Sequence, residues 1–114
     1  MDIFTAIKGR RSYRGYLSKP VEEEKLNAIL EAGQWAPSVM NLQPWKFLIV
    51  KNPEMKARLK VSCQETLGKI YEASGWKWVS KFKIDFLTEA PVIIVIAGDP
   101  KKTGADQFLP GRGT

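Results

Sequence analysis

The spacing of apolar residues predicts two amphipathic helices in the first third of the chain. The first spans residues 2–8, where Ile3, Phe4 and Ile7 share one face. The second opens near Pro20, and its first turn contains residues 22–24, three glutamates that the positive end of a helix dipole favours. Its predicted buried stripe has four members at helical spacing: Leu26, Ile29, Leu30 and Gly33.

Residues 35–45 predict an ordered loop, because Pro37 and Pro44 exclude a regular helix through them. A strand is predicted over residues 46–50. Asn52 then has the features of an N-cap, followed by a proline at the first helical position and an acidic first turn. The long helix that follows is expected to end or bend at Gly75. Its predicted buried positions are Met55, Leu59, Cys63, Leu67 and Ile70.

The last third of the chain predicts one more helix, over residues 76–87, and a second strand, over residues 90–96. The uninterrupted β-branched run in this strand is typical of a central strand that is buried on both faces. Residues 101–114 show no periodic pattern. Two strands leave sheet edges unpaired, so we expect residues 1–114 to be a fragment of a larger domain.

Composition removes several function classes. The 114 residues contain no histidine, which excludes a Ser-His-Asp triad, a Cys-His pair and a histidine-built zinc site within this chain; we predict no metal site. Acid–base chemistry is left to carboxylates, lysines and tyrosines, or a bound cofactor supplies the chemistry. A single cysteine excludes an intrachain disulfide and favours the cytoplasm. The absence of a long apolar run argues against a membrane role.

The net charge of +6 favours an anionic partner, which leaves nucleic acid, acidic lipid and phosphorylated cofactors open. The basic residues are spread along the chain, and no zinc-finger, RNP-like or K homology motif is present, so we predict no nucleic-acid partner.

A basic segment after the first helix is the first candidate site. In Arg10-Arg11-Ser12-Tyr13-Arg14, an extended backbone would direct the alternate residues Arg10, Ser12 and Arg14 towards one ligand. A phosphate monoester needs such forked donors and a hydroxyl. A solvated basic turn is the structural alternative.

The loop between the two prolines is the second candidate site. Asn41 and Gln43 are spaced by one residue, and each amide both donates and accepts, as the edge of a planar heterocycle requires. A purely structural loop, with Trp45 anchoring the strand, is the alternative.

Together the two segments closely resemble the nitroreductase family of FMN-dependent NAD(P)H oxidoreductases. The resemblance rests on R-R-S-x-R after a helix, a second helix, A-P-S-x-x-N-x-Q-P-W before a strand, and the lead-in Glu89-Ala90-Pro91 to the next strand. It implies an α+β fold with helices around an antiparallel-rich sheet, and it implies that residues 1–114 are the N-terminal half of that single domain. It also implies an obligate homodimer with two FMN sites at the interface.

The resemblance implies roles for individual residues. Arg10 and Ser12, with Arg11 beside them, are implied to bind the FMN phosphate and ribityl chain, and Arg14 the phosphate or the pyrimidine edge of the flavin. The loop residues are implied to contact the FMN held mainly by the partner subunit; these are Pro37, Ser38, Val39, Asn41 and Gln43.

The implied activity is electron transfer from NADH or NADPH, through FMN, to small organic acceptors such as nitroaromatics or quinones. No residue of the chain is implied to be catalytic, since the flavin N5 carries the hydride. Two alternatives stay open: a protein that binds FMN or another nucleotide without turnover, and an inactive fragment.

Overall fold

The computed structural model describes residues 1–99 and 101. Helix α1 spans Ile3–Gly9, one residue later at each end than predicted. Asp2 caps it: the carboxylate accepts a 3.0 Å hydrogen bond from the Thr5 backbone N–H and one of 2.6 Å from its hydroxyl. Residues 10–22 form neither helix nor strand. Helix α2 spans Glu23–Gln34, so it begins three residues beyond the proline that was expected to open it.

The buried face of α2 is narrower than predicted. Leu26 is buried, and Leu30 and Gly33 are partly buried, but Ile29 is 56% exposed. At 100° per residue, Ile29 lies about 60° around the helix from Leu26, at the edge of the stripe. A Cβ atom at Gly33 would lie 3.0 Å from the Cζ atom of Phe47, so this glycine allows strand β1 to approach the helix closely.

Strand β1 spans Trp45–Val50, and helix α3 spans Pro53–Ser74. Both ends of α3 are set by residues that the sequence predicted, Asn52 at the start and Gly75 at the end. The Asn52 side chain accepts hydrogen bonds from the N–H groups of Glu54 at 2.8 Å and Met55 at 3.2 Å. Gly75 ends the helix in the left-handed conformation at φ +67°, where its N–H donates to the Tyr71 carbonyl.

Two short helices, rather than the single one predicted over residues 76–87, pack against α3. These are α4, Lys77–Ser80, and α5, Phe86–Glu89. The buried apolar residues of the described chain are Leu26, Val79, Ile84 and Ala90.

The prediction that Cys63 is a core residue is wrong, because its side chain is exposed. Met55 and Ile70, at 44% and 39% exposure, also lie outside the core. Helices α4 and α5 have four residues each, too few to cover the whole apolar stripe of a 22-residue helix.

Strand β2 spans Ile93–Gly98 and pairs antiparallel with β1, in a register that places Trp45 opposite Gly98 and Val50 opposite Ile93. It begins three residues later than predicted, since Ala90 caps α5 and Pro91 has no N–H to donate to a ladder. The prediction that β2 is buried on both faces is wrong. Ile96 is 67% exposed, because this sheet has two strands in the described part of the chain.

Helices long and apolar enough to cross a membrane are absent from the described residues.

Candidate functional site

The first candidate segment follows α1 and lies fully on the surface. Arg10 has an extended backbone (φ −57°, ψ 132°), and its Nη1 atom donates a 3.3 Å hydrogen bond to the Ser12 hydroxyl oxygen. Both side chains are exposed. The structure therefore brings together the guanidinium and the hydroxyl that were predicted to share one anionic ligand.

Arg11 is directed elsewhere. Its Nη1 atom donates to the carbonyl oxygens of Arg10 at 2.8 Å and Lys8 at 3.1 Å, so the guanidinium serves the C-terminal end of α1. Arg14 is exposed and makes no side-chain hydrogen bond or ion pair with any described residue. Of the three arginines, Arg10 and Arg14 are the ones whose geometry leaves them open to a ligand.

Tyr16 fixes the end of this basic segment. Its hydroxyl donates a 2.9 Å hydrogen bond to the Tyr13 carbonyl, and its ring lies 6.3 Å from the ring of Phe86 in α5. The surrounding field is strongly positive, because residues 8–19 include no acidic residue and five basic ones: Lys8, Arg10, Arg11, Arg14 and Lys19. An anion is therefore the favoured ligand.

The second candidate segment, the loop over residues 37–43, contains a short 3₁₀ turn at Val39–Asn41. Its backbone is unusual, since Met40, Asn41 and Gln43 have φ values of 52°, 53° and 46°. A residue with a Cβ atom costs about 1–2 kcal/mol in the left-handed region, with asparagine the most tolerant. Three such residues within four positions require contacts that hold the loop in place, and such strain is common at ligand sites.

Ser38 provides two of those contacts. Its hydroxyl oxygen accepts a 2.9 Å hydrogen bond from the Gln43 N–H, and its carbonyl oxygen accepts one of 3.1 Å from the Asn41 N–H. The two amides are also joined, because the Gln43 Nε2 group donates to the Asn41 Oδ1 atom at 3.1 Å. The amide pair predicted from the spacing is thus present as one hydrogen-bonded unit. Pro37 and Val39, the other two predicted loop residues, are exposed beside it.

The sheet anchors the far end of the loop. The Pro44 carbonyl oxygen accepts a 2.8 Å hydrogen bond from the Asp99 N–H, just beyond the pairing of Trp45 with Gly98. A cavity of about 510 Å³ opens beside Gln43. Its lining residues are Leu30, Gln34, Gln43, Trp45, Lys46, Phe47 and Leu48.

Gln34 and Lys46 are polar lining residues that the sequence prediction missed. The alternation of strand side chains was the available signal for Lys46, since it precedes the partly buried Phe47 and therefore faces outwards. Gln34 gave no comparable signal, because it is the last residue of α2.

A larger cavity of about 970 Å³ lies between α2, β1 and α3. Its floor is aliphatic, with Leu26, Leu30 and Val95 among its members, and its rim contains the ion pair of Lys51 with Glu23. Size alone would favour this cavity. The loop is the better candidate site, because its polar groups converge and its backbone is held in a rare conformation.

The two candidate segments are not joined to each other. Among the described residues, no hydrogen bond or ion pair links residues 10–14 with residues 37–43. Within one chain, the structure therefore forms a basic segment and an amide loop as separate units.

Comparison with known proteins gives relatives of two kinds. The NADH dehydrogenase of Thermus thermophilus is 35% identical over 99 residues, which is 87% of this chain and 40% of that protein. The iodotyrosine deiodinase 1 of Rattus norvegicus is 31% identical over 103 residues, covering 83% of this chain and 36% of that protein. The chain thus spans about two fifths of the length of these curated relatives.

The fold has solved counterparts. A nitroreductase from Bacteroides fragilis, whose crystal structure has bound FMN, superposes with a TM-score of 0.68 at 28% identity; the match covers 99% of this chain and 62% of that one. The expected α+β nitroreductase-like fold, with helices around an antiparallel sheet, is confirmed. The sequence model of the Nitroreductase family matches residues 7–109, a range that includes the basic segment and the amide loop, and this chain belongs to that family.

Proposed function

We propose that this chain is the N-terminal half of an FMN-dependent oxidoreductase that transfers electrons from NADH or NADPH to small organic acceptors, such as nitroaromatics or quinones. The observation that carries the proposal is the pairing of Arg10 with Ser12 in a basic, exposed segment, together with the preorganised amide loop at residues 37–43. Both features lie within the part of the chain that matches the family.

The basic segment fits the phosphate of FMN. A phosphate monoester carries between one and two negative charges at neutral pH, and its oxygens accept only. Arg10 and Ser12 offer a guanidinium and a hydroxyl within 3.3 Å of each other, and Arg14 adds a second exposed guanidinium. We assign the phosphate to Arg10, Ser12 and Arg14, and we assign Arg11 the secondary role of holding the end of α1.

The amide loop fits the polar part of the cofactor. Pairing of the Gln43 Nε2 group with the Asn41 Oδ1 atom leaves the Nδ2 group of Asn41 as a donor and the Oε1 atom of Gln43 as an acceptor. A flavin and its ribityl chain present carbonyl, N–H and hydroxyl groups that match such a pair. Pro37, Ser38 and Val39 belong to the same contact region.

The chain's own residues bind and orient, and bound FMN would supply the redox chemistry by accepting and passing on a hydride at its N5 atom. The positive field of residues 8–19 also favours the approach of NADH or NADPH, which carry phosphates. We place this chemistry in the cytoplasm, in keeping with the single cysteine.

We further propose that the protein is a homodimer in which the basic segment of one subunit and the amide loop of the other share one FMN. Two observations support this arrangement. Residues 10–14 and 37–43 make no hydrogen bond or ion pair with each other among the described residues. Apolar side chains near both segments are also exposed, with Phe4 at 69% and Met40 at 86%.

The test is an anaerobic titration of the FMN-loaded, full-length protein with NADPH and with NADH. Bleaching of the flavin absorbance by either donor, followed by recovery on adding a nitroaromatic or a quinone, is the expected result. A protein that binds FMN but is not reduced by either donor would instead be a binding protein without turnover. A preparation that neither contains flavin nor quenches the fluorescence of added FMN would overturn the proposal.

Reductive deiodination is a second candidate, because the similarity to iodotyrosine deiodinase 1 extends over 103 residues. Release of iodide from 3-iodo-L-tyrosine by the reduced protein, without reduction of nitroaromatics, would favour this activity.

A further inference from the structure

We propose that Tyr16 is a positioning residue, which holds the backbone around Arg14 so that this arginine meets the cofactor in a fixed geometry. The inference rests on the proposed FMN site and extends it to a residue outside the R-R-S-x-R motif. Tyr16 acts through the chain on either side of Arg14, and through its contact with helix α5.

Arg14 has no contact of its own that would fix its position. Its side chain makes no hydrogen bond or ion pair with any described residue, whereas Arg10 is joined to Ser12 at 3.3 Å. Residues 10–22 form neither helix nor strand, so regular backbone pairing does not hold the chain around it. A guanidinium on a loosely held backbone loses conformational freedom when it binds an anion, and this loss weakens binding.

Tyr16 closes a turn around Arg14. Its hydroxyl donates a 2.9 Å hydrogen bond to the Tyr13 carbonyl oxygen, and the bond therefore encloses residues 14 and 15. The conformations that Arg14 can adopt are restricted from both sides, because the two ends of the turn are joined. Part of the ordering that an anion would otherwise have to impose is already present in the protein.

The ring of Tyr16 connects this turn to the rest of the fold. It lies 6.3 Å from the ring of Phe86, at an interplanar angle of 51°. Among the large apolar side chains of residues 10–19, Tyr16 is the least exposed, at 45% compared with 72% for Tyr13 and 80% for Leu17. Tyr16 is thus the residue through which the basic segment packs against a neighbouring element.

Helix α5 is itself held in place. The Phe86 carbonyl oxygen accepts a 2.9 Å hydrogen bond from the N–H of Ala90, a buried residue. Asp85, directly before Phe86, accepts a 2.7 Å hydrogen bond from the ammonium group of Lys60 on α3. The turn that contains Arg14 is therefore connected to the longest helix of the described chain through α5.

The hydroxyl and the ring of Tyr16 can be tested separately. Tyr16→Phe removes the hydroxyl and keeps the ring, and Tyr16→Leu removes both. Tyr13→Phe is the matched control, because it removes the same group three residues away. The Tyr13 hydroxyl makes no hydrogen bond with any described residue, so its loss should leave the turn intact.

The experiment is a double-mutant cycle on the full-length protein, with the Kd of FMN measured by fluorescence quenching. Loss of a neutral hydrogen bond predicts that Tyr16→Phe weakens FMN binding about 2- to 12-fold, while Tyr13→Phe stays within about twofold of the wild type. Tyr16→Leu should weaken binding more than Tyr16→Phe. In an Arg14→Ala background, adding Tyr16→Phe should weaken binding by less than about twofold, because the arginine that Tyr16 positions is gone.

Thermal melting of each variant separates this role from a general contribution to stability, which would weaken binding equally with and without Arg14. Equal losses in the two backgrounds, or no loss in Tyr16→Phe, would overturn the inference and leave the proposed function standing. An equal loss in Tyr13→Phe would show that the bond from Tyr16 to Tyr13 is not the cause. A wild type that does not bind FMN would overturn the proposed function, and this inference with it.

Discussion

The ammonium group of Lys56 donates a 2.7 Å hydrogen bond to the carbonyl oxygen of Ala90, which lies 34 residues further along the chain. Both residues are 7% exposed. The bond joins the first turns of α3 to the segment that leads from α5 into β2. It also satisfies a buried carbonyl group that lies outside the sheet ladder, since the pairing of β2 begins at Ile93.

This bond gives a prediction for stability. Lys56→Met keeps the apolar stem but leaves the Ala90 carbonyl buried without a donor, so we expect a loss of about 1–3 kcal/mol in the free energy of unfolding. Urea denaturation measures it. The matched control is Lys69→Met on the same helix, where the lysine is exposed and the expected change is below about 0.5 kcal/mol. Equal changes in the two variants would contradict a stabilising role for the Lys56 bond.

The contact of Gly33 with Phe47 gives a second prediction. An alanine at Gly33 gains up to about 1 kcal/mol of helix propensity, but its Cβ atom meets the Cζ atom of Phe47 at 3.0 Å. Gly68→Ala is the control, because a Cβ atom there meets nothing within 4 Å. We expect Gly33→Ala to be less stable than Gly68→Ala by at least about 1 kcal/mol in thermal or urea unfolding.

A third variant tests the cause of that difference. Phe47→Leu shortens the opposing side chain, so the cost of Gly33→Ala should be smaller in the Phe47→Leu background than in the wild type. If the cost is the same in both backgrounds, the strain does not arise from the Phe47 ring.

A third prediction concerns pH. The hydrogen bond from Lys60 to Asp85, 2.7 Å long, lowers the pKa of Asp85 below its ordinary value, and the charge of Lys60 adds to the effect. A carboxyl group with a lowered folded-state pKa stabilises the fold above its unfolded pKa of about 3.9 and loses that contribution as the pH falls through the folded value. The effect is modest, because the Asp85 side chain is 58% exposed.

Asp85→Asn should therefore be less stable than the wild type at neutral pH, and the difference should narrow as the pH falls below about 4. Unfolding curves recorded across this range measure it. A difference that stays constant with pH would show that the ion pair does not contribute.

The ends of α3 could be predicted from the sequence, because the signals for them are local. Asn52 caps the helix through its own side chain, and Gly75 adopts a positive φ that few other residues tolerate. The exposure of Cys63 and of part of strand β2 could not be predicted, because burial depends on which elements pack against an apolar stripe. Periodicity identifies the apolar stripe, but it does not identify the elements that pack against it.

The candidate site, too, could be predicted from the sequence only in part. The motif order predicted the basic segment and the amide loop, and the spacing of Asn41 and Gln43 predicted a pair of amides. The hydrogen bond from the Gln43 N–H to Ser38 could not be predicted, because it depends on the positive φ of Gln43. Glycine is the usual signal of such a conformation, and the loop contains none.

The phosphate assignment gives a fourth prediction. Arg10→Ala removes a charge-assisted contact, so FMN should bind roughly 10- to 100-fold more weakly, while riboflavin, which has no phosphate, should be affected far less. Arg11→Ala removes the same charge at the next position, but its guanidinium serves backbone carbonyls, and we expect a smaller loss. Equal losses of FMN and riboflavin affinity in Arg10→Ala would refute the phosphate contact.

The last prediction tests whether the basic segment and the amide loop of one FMN site come from two subunits. Arg10→Ala and Gln43→Ala proteins, each defective in FMN binding, are unfolded together and reassembled. In a heterodimer, both substitutions fall in one site and the other site is intact. Random assortment should therefore restore roughly a quarter of the wild-type sites.

A mixture of Arg10→Ala with Ser12→Ala is the control: both residues belong to the same segment, so neither site of the heterodimer is intact. Recovery in the first mixture and not in the second supports a shared site, because only an exchange of segments between subunits can separate the two defects. No recovery in either mixture would place both segments in a site within one subunit.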